Sequence, residues 1–179
     1  SNLDIIYPHV KRGAKLVGIE PSCILSFRDD YVDLLEGDHR AKVVAEATML
    51  IEELLLEAQR NGAHLPFKEL SGQLLFHGHC HQKALVGSAP SLEILRSIPN
   101  LNVQETTSGC CGMAGSFGFE KEHYDVSMKI GEQSLFPTIR KQPEGAIIVA
   151  EGISCRQQIW DGTGRKAQHL VEFLSDALS

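Results

Sequence analysis

Short apolar runs rich in β-branched residues alternate with helical patterns along this chain, and this alternation limits its fold more than any other feature of the sequence. The runs at 14–18, 73–77, 102–105 and 146–150 predict strands. The periodic segments at 41–60, 92–96, 120–140 and 166–178 predict helices. Strands that alternate with helices favour an α/β fold with a largely parallel sheet.

Five cysteines follow the predicted strands: Cys23, Cys80, Cys110, Cys111 and Cys155. The carboxyl ends of parallel strands meet at one edge of a sheet, where the binding sites of α/β proteins collect. We therefore expect these thiols to converge. An odd number of cysteines with one adjacent pair fits a disulfide framework poorly, and a chain with no secretion signal should keep its thiols reduced. Reduced cysteines in such clusters indicate metal ligands or redox groups.

The segment His77-Gly78-His79-Cys80-His81 places three imidazoles and one thiol within five residues. Soft thiolate and borderline imidazole ligands suit iron, zinc or copper. Histidines at strand ends can equally cap helices or bond the backbone, because helix termini leave unpaired backbone groups. The segment indicates metal binding by Cys80, with the role of each imidazole left open.

Residues 108–118 form a glycine-rich stretch that contains the adjacent pair Cys110-Cys111. Gly109 and Gly112 flank the pair, and glycines allow tight turns and close approach to a bulky inorganic centre. Backbone amides there can donate hydrogen bonds to sulfur and tune a cluster's potential. Adjacent cysteines point poorly at one tetrahedral ion but can reach two irons of a cluster. The alternative is a flexible loop with two buried thiols.

A strand followed by Ser-Cys at the start of a helix occurs twice, with Cys23 and Cys155 separated by 132 residues. A thiolate at a helix N-terminus is stabilised by the helix dipole and the free amides. We predict a duplicated module whose first copy is truncated. Residues 3–70 would be the C-terminal part of a first repeat with a linking helix, and residues 71–179 a complete repeat. Chance similarity between two apolar strands is the alternative.

The charge balance and hydropathy exclude some functions. With 17 Lys and Arg against 23 Asp and Glu, the formal charge is −6, which argues against a nucleic-acid partner. No apolar run approaches the length of about 20 residues that a spanning helix needs. We therefore expect a cytoplasmic protein, with peripheral attachment to a membrane left open.

Together these residues resemble the cysteine-rich CCG domain, a family that includes a subunit of heterodisulfide reductase and the iron–sulfur subunits of glycolate, lactate and anaerobic glycerol-3-phosphate oxidation. The family pattern is a lone cysteine, then Cys-Cys-Gly, then a final cysteine that is often Cys-x-x-Cys. Here Cys80 precedes Cys110 by 30 residues, and Cys111 precedes Cys155 by 44. The pattern covers residues 73–178, and the stretch 18–30 is similar to the preceding repeat in large flavin-linked 2-hydroxyacid dehydrogenases.

The resemblance implies pseudo-duplicated, Rossmann-like lobes that serve as an iron–sulfur electron-transfer domain. The parent oxidoreductase would be FAD-linked and act on 2-hydroxy acids such as D-lactate or glycolate, with FAD on an upstream domain and a separate downstream electron acceptor. The fragment alone would not be catalytic. The implied cofactor is a [4Fe–4S] cluster, in some relatives of non-cubane type. The implied metal ligands are Cys23, Cys80, Cys110, Cys111 and Cys155, and the implied cofactor-binding neighbours are Glu20, His79, His81, Gly109, Gly112 and Glu151.

One departure from the family pattern bears on the cluster type. Where some relatives have Cys-x-x-Cys, this chain has Cys155-Arg156-Gln157-Gln158, so a five-cysteine ligand set is incomplete. Two other functions remain open. One is a structural zinc or other mononuclear site, which the adjacent cysteine pair disfavours. The other is a thiol–disulfide redox module, which the absence of any Cys-x-x-Cys disfavours.

Overall fold

A computed structural model describes residues 2–179, which contain eleven α-helices and five strands. The helices are α1 (Asn2–Val10), α2 (Pro21–Ile24), α3 (Asp30–Leu34), α4 (His39–Ala47), α5 (Ile51–Arg60), α6 (Cys80–Leu85), α7 (Ala89–Arg96), α8 (Tyr124–Gln133), α9 (Leu135–Arg140), α10 (Ile153–Thr163) and α11 (Leu170–Ala177). The strands are β1 (Leu16–Gly18), β2 (Thr48–Leu50), β3 (Gly72–His77), β4 (Leu101–Glu105) and β5 (Ile147–Ala150). Short 3-10 turns occupy Leu25–Phe27 and Phe117–Phe119.

The strands form two parallel sheets. β1 pairs with β2, and β3 lies between β4 and β5 in a three-stranded sheet of order β4-β3-β5. Parallel neighbours need crossover connections, and helices supply them here. The predicted α/β class with parallel, Rossmann-like lobes is therefore confirmed. β1 and β2 fall within residues 3–70, and the larger sheet falls within residues 71–179.

The larger sheet is covered by helices on both faces, because its strands are apolar on both sides. Phe76 and Val149 point into one core, which is closed by side chains of α5, α7 and α11. Leu75 and Ile148, one residue along each strand, point into the other core, formed with α9 and α10. This alternation follows from the two-residue period of a strand. The result is a three-layer arrangement whose strand ends are left free at one edge.

The smaller sheet is covered mainly by the N-terminal helices. Leu3 and Val10 of α1 pack against Ala41 and Val44 of α4 in a separate core. A second small core lies under the turn that follows α2. Every helix within residues 2–179 is too short or too polar to span a lipid bilayer.

Two long predicted helices are each interrupted. The segment 41–60 is wrong as one helix, because Thr48–Leu50 leaves the helical path to pair with β1. The segment 120–140 is also broken, at Ser134, between α8 and α9. Pro137 explains this second break, because it has no N–H to bond the carbonyl of Gln133 and its ring clashes there.

Candidate metal centre

The carboxyl ends of the three strands in the larger sheet bring cysteines together. β3 ends at His77 and leads into α6, whose first residue is Cys80. β4 leads into the loop that holds Cys110 and Cys111, and β5 leads into α10, which has Cys155 in its first turn. Because the three strands are parallel neighbours, these segments leave the sheet at one edge, as the sequence pattern predicts.

Hydrogen bonds link four of the thiols into one group, which we call the thiol group: Cys80, Cys110, Cys111 and Cys155. Cys110 is bonded to both Cys80 and Cys111, and Cys111 is bonded in turn to Cys155. Cys111 and Cys155 are buried, with 4% and 2% of their surface exposed, whereas Cys80 is exposed. The group therefore runs from solvent to the core beneath the sheet edge.

These hydrogen bonds divide the thiol group into acceptors and donors. Bonds from Cys111 and Cys80 lower the pKa of Cys110 to about 2, and the Gly112 N–H, 3.3 Å from its Sγ, acts in the same direction. A bond from Cys111 lowers the pKa of Cys155 well below its usual 9.0. The pKa of Cys80 is raised by its hydrogen bond with Cys110, and that of Cys111 by its hydrogen bonds with Cys110 and Cys155, with burial acting in the same direction at both. These interactions therefore favour the thiolate form at Cys110 and Cys155 and the thiol form at Cys80 and Cys111.

His77 is the imidazole that faces the thiol group from the sheet itself. It is fully buried, and its Nδ1 lies 2.9 Å from Thr106 Oγ1. Its ring lowers the pKa of Cys155 further and favours the thiolate of Cys110. Within residues 2–179, its Nε2 is buried without an oxygen or nitrogen partner. Sequence reasoning noted His77 in the motif but did not select it as a site residue.

His79 caps the helix that begins with Cys80. Its Nδ1 accepts a hydrogen bond from the His81 N–H at 3.2 Å, and its own N–H donates to Gln82 Oε1 at 3.2 Å. The ring also packs over Gly152, where an added Cβ would overlap it and lie 3.2 Å from Cys155 Sγ. His79 therefore lies beside the thiol group, while His81 is partly exposed at its rim.

The loop with the cysteine pair is held from three sides. Gln158 Nε2 donates to the Cys111 carbonyl at 3.1 Å and to Ser127 Oγ at 2.9 Å. Lys83 Nζ donates to the Ser108 carbonyl at 2.5 Å. Gly112 has a φ of +103°, and a Cβ there would overlap the Ser127 carbonyl, so only glycine fits. Gly109, by contrast, faces open space, and a Cβ there would meet no atom within 4 Å.

Residues 3–70, which we call the first lobe, contribute a carboxylate rather than a thiol to this edge; residues 71–179 are the second lobe. Glu20 Oε2 accepts a hydrogen bond at 3.0 Å from the N–H of Ile153, the first residue of α10. A carboxylate is favourable there because the helix N-terminus carries partial positive charge. Cys23 is exposed in α2, outside the hydrogen-bonded thiol group, although α2 packs against α6.

A second polar group, which we call the buried acid cluster, lies behind α6 and consists of Glu52, Gln82, Ser91 and Glu151. None of these residues has more than 2% of its surface exposed. Gln82 Nε2 lies 2.8 Å from both Glu52 Oε1 and Ser91 Oγ. Burial raises the pKa of both carboxyl groups, and the charge of Glu52 raises that of Glu151 further. Glu151, selected from sequence as a cofactor neighbour, has its carboxyl group in this cluster.

Sequence reasoning missed Glu52, Gln82, Ser91 and Gln158. Glu52 stands in an amphipathic helix among other acidic residues, where the pattern does not separate a buried carboxyl from a solvated one. Gln158 did carry a signal, because it occupies the place of the last cysteine in the family pattern.

A metal ion needs several donor atoms that point at one position. No set of three or more His, Cys, Asp or Glu side chains within residues 2–179 is arranged around one metal position. The thiols bond one another instead. In number and kind, however, four sulfur donors match the all-cysteine ligand set of an iron–sulfur cluster, and the pKa values of two of them are lowered toward the thiolate that binds metal. With the buried His77 ring beside them, the residues fit an iron–sulfur group.

Comparison with known proteins gives relatives of one broad class. No protein-family model matches the chain. It is 31% identical over 169 residues to a subunit of the anaerobic glycerol-3-phosphate dehydrogenase of Escherichia coli (strain K12), covering 94% of this chain and 41% of that protein. It is 29% identical over 177 residues to D-2-hydroxyglutarate dehydrogenase of the same strain, covering 98% of this chain and 17% of that protein.

A further relative is D-2-hydroxyglutarate dehydrogenase of Haemophilus influenzae, which is 32% identical over 170 residues, or 90% of this chain and 15% of that protein. The chain thus spans less than half the length of each of these curated relatives. Nearly all of it is similar to a part of proteins named as dehydrogenases or dehydrogenase subunits.

Proposed function

We propose that this chain is an iron–sulfur electron-transfer domain of an FAD-linked oxidoreductase that acts on 2-hydroxy acids. The observation that carries the proposal is the meeting of four thiols, from three strand ends, in one hydrogen-bonded group. The relatives, all named as dehydrogenases or a dehydrogenase subunit, support the oxidoreductase class. The motif spacing supports a domain of the CCG type.

The relatives favour electron transfer over substrate turnover for this chain. One kind is named for glycerol 3-phosphate and the other for D-2-hydroxyglutarate, yet each matches at least 90% of this chain. A stretch shared by enzymes with different substrates suits a step that both need, which is the removal of electrons. We assign substrate oxidation to a FAD domain or subunit outside residues 1–179 and the electron acceptor to a further partner. The choice of a 2-hydroxy acid rests on the second kind of relative.

The thiol group would hold the cluster, and the chemistry that a [4Fe–4S] cluster supplies when bound is one-electron transfer at a potential tuned by its surroundings. Position 158 bears on the type of cluster. Gln158 has no thiol, and its buried amide instead donates to the backbone carbonyls of Cys111 and Ser127. Four cysteines therefore favour a conventional cluster over the five-cysteine type, with Cys23 kept as a fifth participant to be tested.

The neighbouring residues would position the ligands and tune them. The Gly112 N–H donates to Cys110 Sγ, and such bonds to sulfur stabilise added negative charge. His77 lies against Cys155 and is oriented by Thr106. His79 and Glu20 bond the first turns of α6 and α10, so each would act on a ligand through its helix. Outer partners of this kind typically change metal affinity by about 10- to 100-fold. His81, Gly109 and Glu151 are proposed as less direct neighbours of the cofactor.

The same proposal gives the organisation of the chain. Residues 3–70 would be the C-terminal part of one CCG-type repeat, and residues 71–179 a complete second repeat. We place the protein in the cytoplasm, where thiols stay reduced, with peripheral attachment to a membrane through its partners.

The test is iron and acid-labile sulfide analysis, with visible and EPR spectra, on protein purified without oxygen. We expect iron and sulfide in near-equal amounts and a broad visible absorbance, all lost in Cys110→Ser. Cys23→Ser, which tests the fifth participant, should retain all three. Zinc without sulfide would replace the proposal with a mononuclear site. A protein that stays free of metal after reconstitution would also contradict it.

A thiol–disulfide redox module is the second candidate, because the thiols bond one another and the partly exposed Cys110 has a lowered pKa, which favours its thiolate. It predicts metal-free disulfide reduction that alkylation of Cys110 abolishes. Activity of that kind in the absence of iron, with no iron uptake, would favour this candidate.

A further inference from the structure

The buried acid cluster has a hydrogen-bond arrangement that fixes where a proton must be. Ser91 Oγ lies 2.8 Å from Gln82 Nε2, 3.1 Å from Glu52 Oε1 and 2.8 Å from Glu151 Oε1. Glutamine N–H groups only donate, so Ser91 accepts from Gln82. The orientation of the Gln82 amide is set independently, because its Oε1 accepts from the His79 N–H.

A hydroxyl group has one proton and accepts at most two hydrogen bonds. Ser91 can therefore donate to only one of the two carboxyl groups, and the other contact requires a carboxyl proton. Glu52 Oε1 already accepts from Gln82 Nε2, which favours the ionised form of Glu52. Glu52 also lies in the first turn of α5, where the helix dipole stabilises a negative charge. The proton therefore belongs on Glu151, which donates it to Ser91.

Two further observations agree with this assignment. Glu151 Oε2 is buried with no hydrogen-bond partner among the described residues, which is costly for a carboxylate and tolerable for a neutral acid. The two carboxyl groups also interact directly, and neighbouring buried carboxylates cannot both ionise. The pair thus holds one proton and one negative charge with no cation bonded to either carboxylate in the described structure.

The cluster is joined to the thiol group on two sides. Gln82 lies in the helix that begins with Cys80, and it bonds both Glu52 and the backbone of His79. Glu151 begins the turn that leads to Cys155. The charged groups around the pair are Glu53 and its ion-pair partner Arg28, Arg156, which donates to the carbonyl of Glu151, and His79 through Gln82.

We propose that Glu52, Ser91 and Glu151 form a proton site that takes up one proton when the neighbouring metal centre is reduced. With the centre loaded, uptake of one electron from the dehydrogenase partner would be accompanied by uptake of one proton from solvent, which would convert the Glu52 carboxylate to the acid. The total charge of the region is then unchanged, which lowers the electrostatic cost of reduction in a buried site. The coupling rests on the proposed iron–sulfur function, whereas the protonation of Glu151 does not.

The first measurement is the infrared spectrum of metal-free protein at neutral pH. We expect a carbonyl band of a protonated carboxylic acid that disappears in Glu151→Gln and persists in the control Glu57→Gln, which changes an exposed residue of the same helix as Glu52. Glutamine reproduces the donor of a neutral acid, so Glu151→Gln should fold normally. Absence of the band, or its persistence in Glu151→Gln, would overturn the proton site and leave the proposed function untouched.

The second measurement is the reduction potential of the reconstituted domain as a function of pH. One proton for each electron gives a shift of about 59 mV for each tenfold change in proton concentration. We expect this slope in the wild type and in Glu57→Gln, and a flat, higher potential in Glu52→Gln, which has no carboxylate to protonate. A flat wild type, or a slope that survives in Glu52→Gln, would refute the coupling. A domain without redox-active iron would instead refute the proposed function, and the coupling with it.

Discussion

The ends of β1 and β5 share one sequence pattern but lie in different surroundings. Each strand is followed by Ser-Cys in a helix, with Cys23 in α2 and Cys155 in α10. Cys155 is buried and bonded to Cys111 and His77. Cys23 is exposed to solvent. The same local signal therefore gives a member of a thiol group in one lobe and a surface thiol in the other.

The neighbouring strands account for the difference. β5 lies beside β3, which brings His77 and Cys80 to the same edge, and β4 on the far side of β3 brings the cysteine pair. β1 is paired with β2, which runs directly into α5 without an intervening loop. A strand followed by Ser-Cys thus places one thiol at a sheet edge. A multi-thiol site forms only where the neighbouring strands end in further cysteines at the same edge.

The largest expected effect comes from removing one of the two thiols. We expect Cys155→Ser to lower iron retention by more than the roughly 10- to 100-fold that is typical for changes to a metal's outer partners, because it removes a proposed ligand. Cys23→Ser should keep the iron. Iron content after anaerobic reconstitution measures both. Equal losses in the two variants would make Cys23 a ligand and erase the contrast between the lobes.

A comparison of two glycines tests how tightly the second lobe is built around its cysteine pair. Gly13 and Gly112 have φ values of +93° and +103°, but only Gly112 has neighbours that an added Cβ would meet. Gly13→Ala should cost about 1–2 kcal/mol, the usual penalty for a side chain in a left-handed conformation. Gly112→Ala should add overpacking against Ser127 of about 1–3 kcal/mol. Urea unfolding measures both, and equal costs would contradict a crowded loop.

The buried acid cluster makes the stability of the fold decrease as pH rises. Burial and the charge of Glu52 raise the pKa of Glu151 above its usual 4.5, so the folded state holds a proton that the unfolded state has lost. Above pH 4.5 the free energy of unfolding should therefore fall as pH rises, by about 1.4 kcal/mol per pH unit, until Glu151 ionises in the folded protein. Glu151→Gln should reduce this slope to the contribution of Glu52, whose pKa is also raised by burial. Unfolding curves at a series of pH values for both proteins test it, and parallel curves would exclude the shift.

The first lobe should respond to pH in the opposite direction. Arg40 donates to the partly exposed Asp38 side chain and lowers its pKa from 3.8 to about 2. This contribution to stability is present above pH 3.8 and is lost as the pH falls through about 2. Asp38→Asn should therefore unfold more easily than the wild type near neutral pH and equally easily at the acid limit. A difference that stays constant with pH would point to the helix cap rather than to the charge.

The sequence predicted the elements that carry the thiols better than the elements between them. All four predicted strands exist, since apolar β-branched runs keep their pairing preference in any parallel sheet. β2 was missed because Thr48-Met49-Leu50 lies between two helix-forming stretches, and only pairing with Leu16–Gly18 makes it a strand. Tertiary pairing of this kind overrides local propensity.

Within the site, convergence of the thiols followed from topology, whereas their surroundings did not. Spacing and strand order were enough to bring Cys80, Cys110 and Cys155 to one edge. The partners of Glu52 and Gln158 depend on side-chain contacts between residues about 30 or more apart in sequence, which no local pattern encodes.

The smallest effect tests a hydrogen bond between the first lobe and the helix of Cys155. Glu20 Oε2 accepts from the Ile153 N–H, and Glu20→Gln keeps an acceptor but removes the charge at the helix N-terminus. We expect a loss of about 0.3–1 kcal/mol in the free energy of unfolding, since a charge at a helix end contributes that much. Glu36→Gln, an exposed change in the same lobe, serves as the control and should be neutral. High salt should shrink the Glu20 effect, because salt screens exposed charges. A loss that is unchanged by salt would mean that Glu20 positions α10 through geometry alone, and the first lobe would then influence Cys155 without contributing charge to its site.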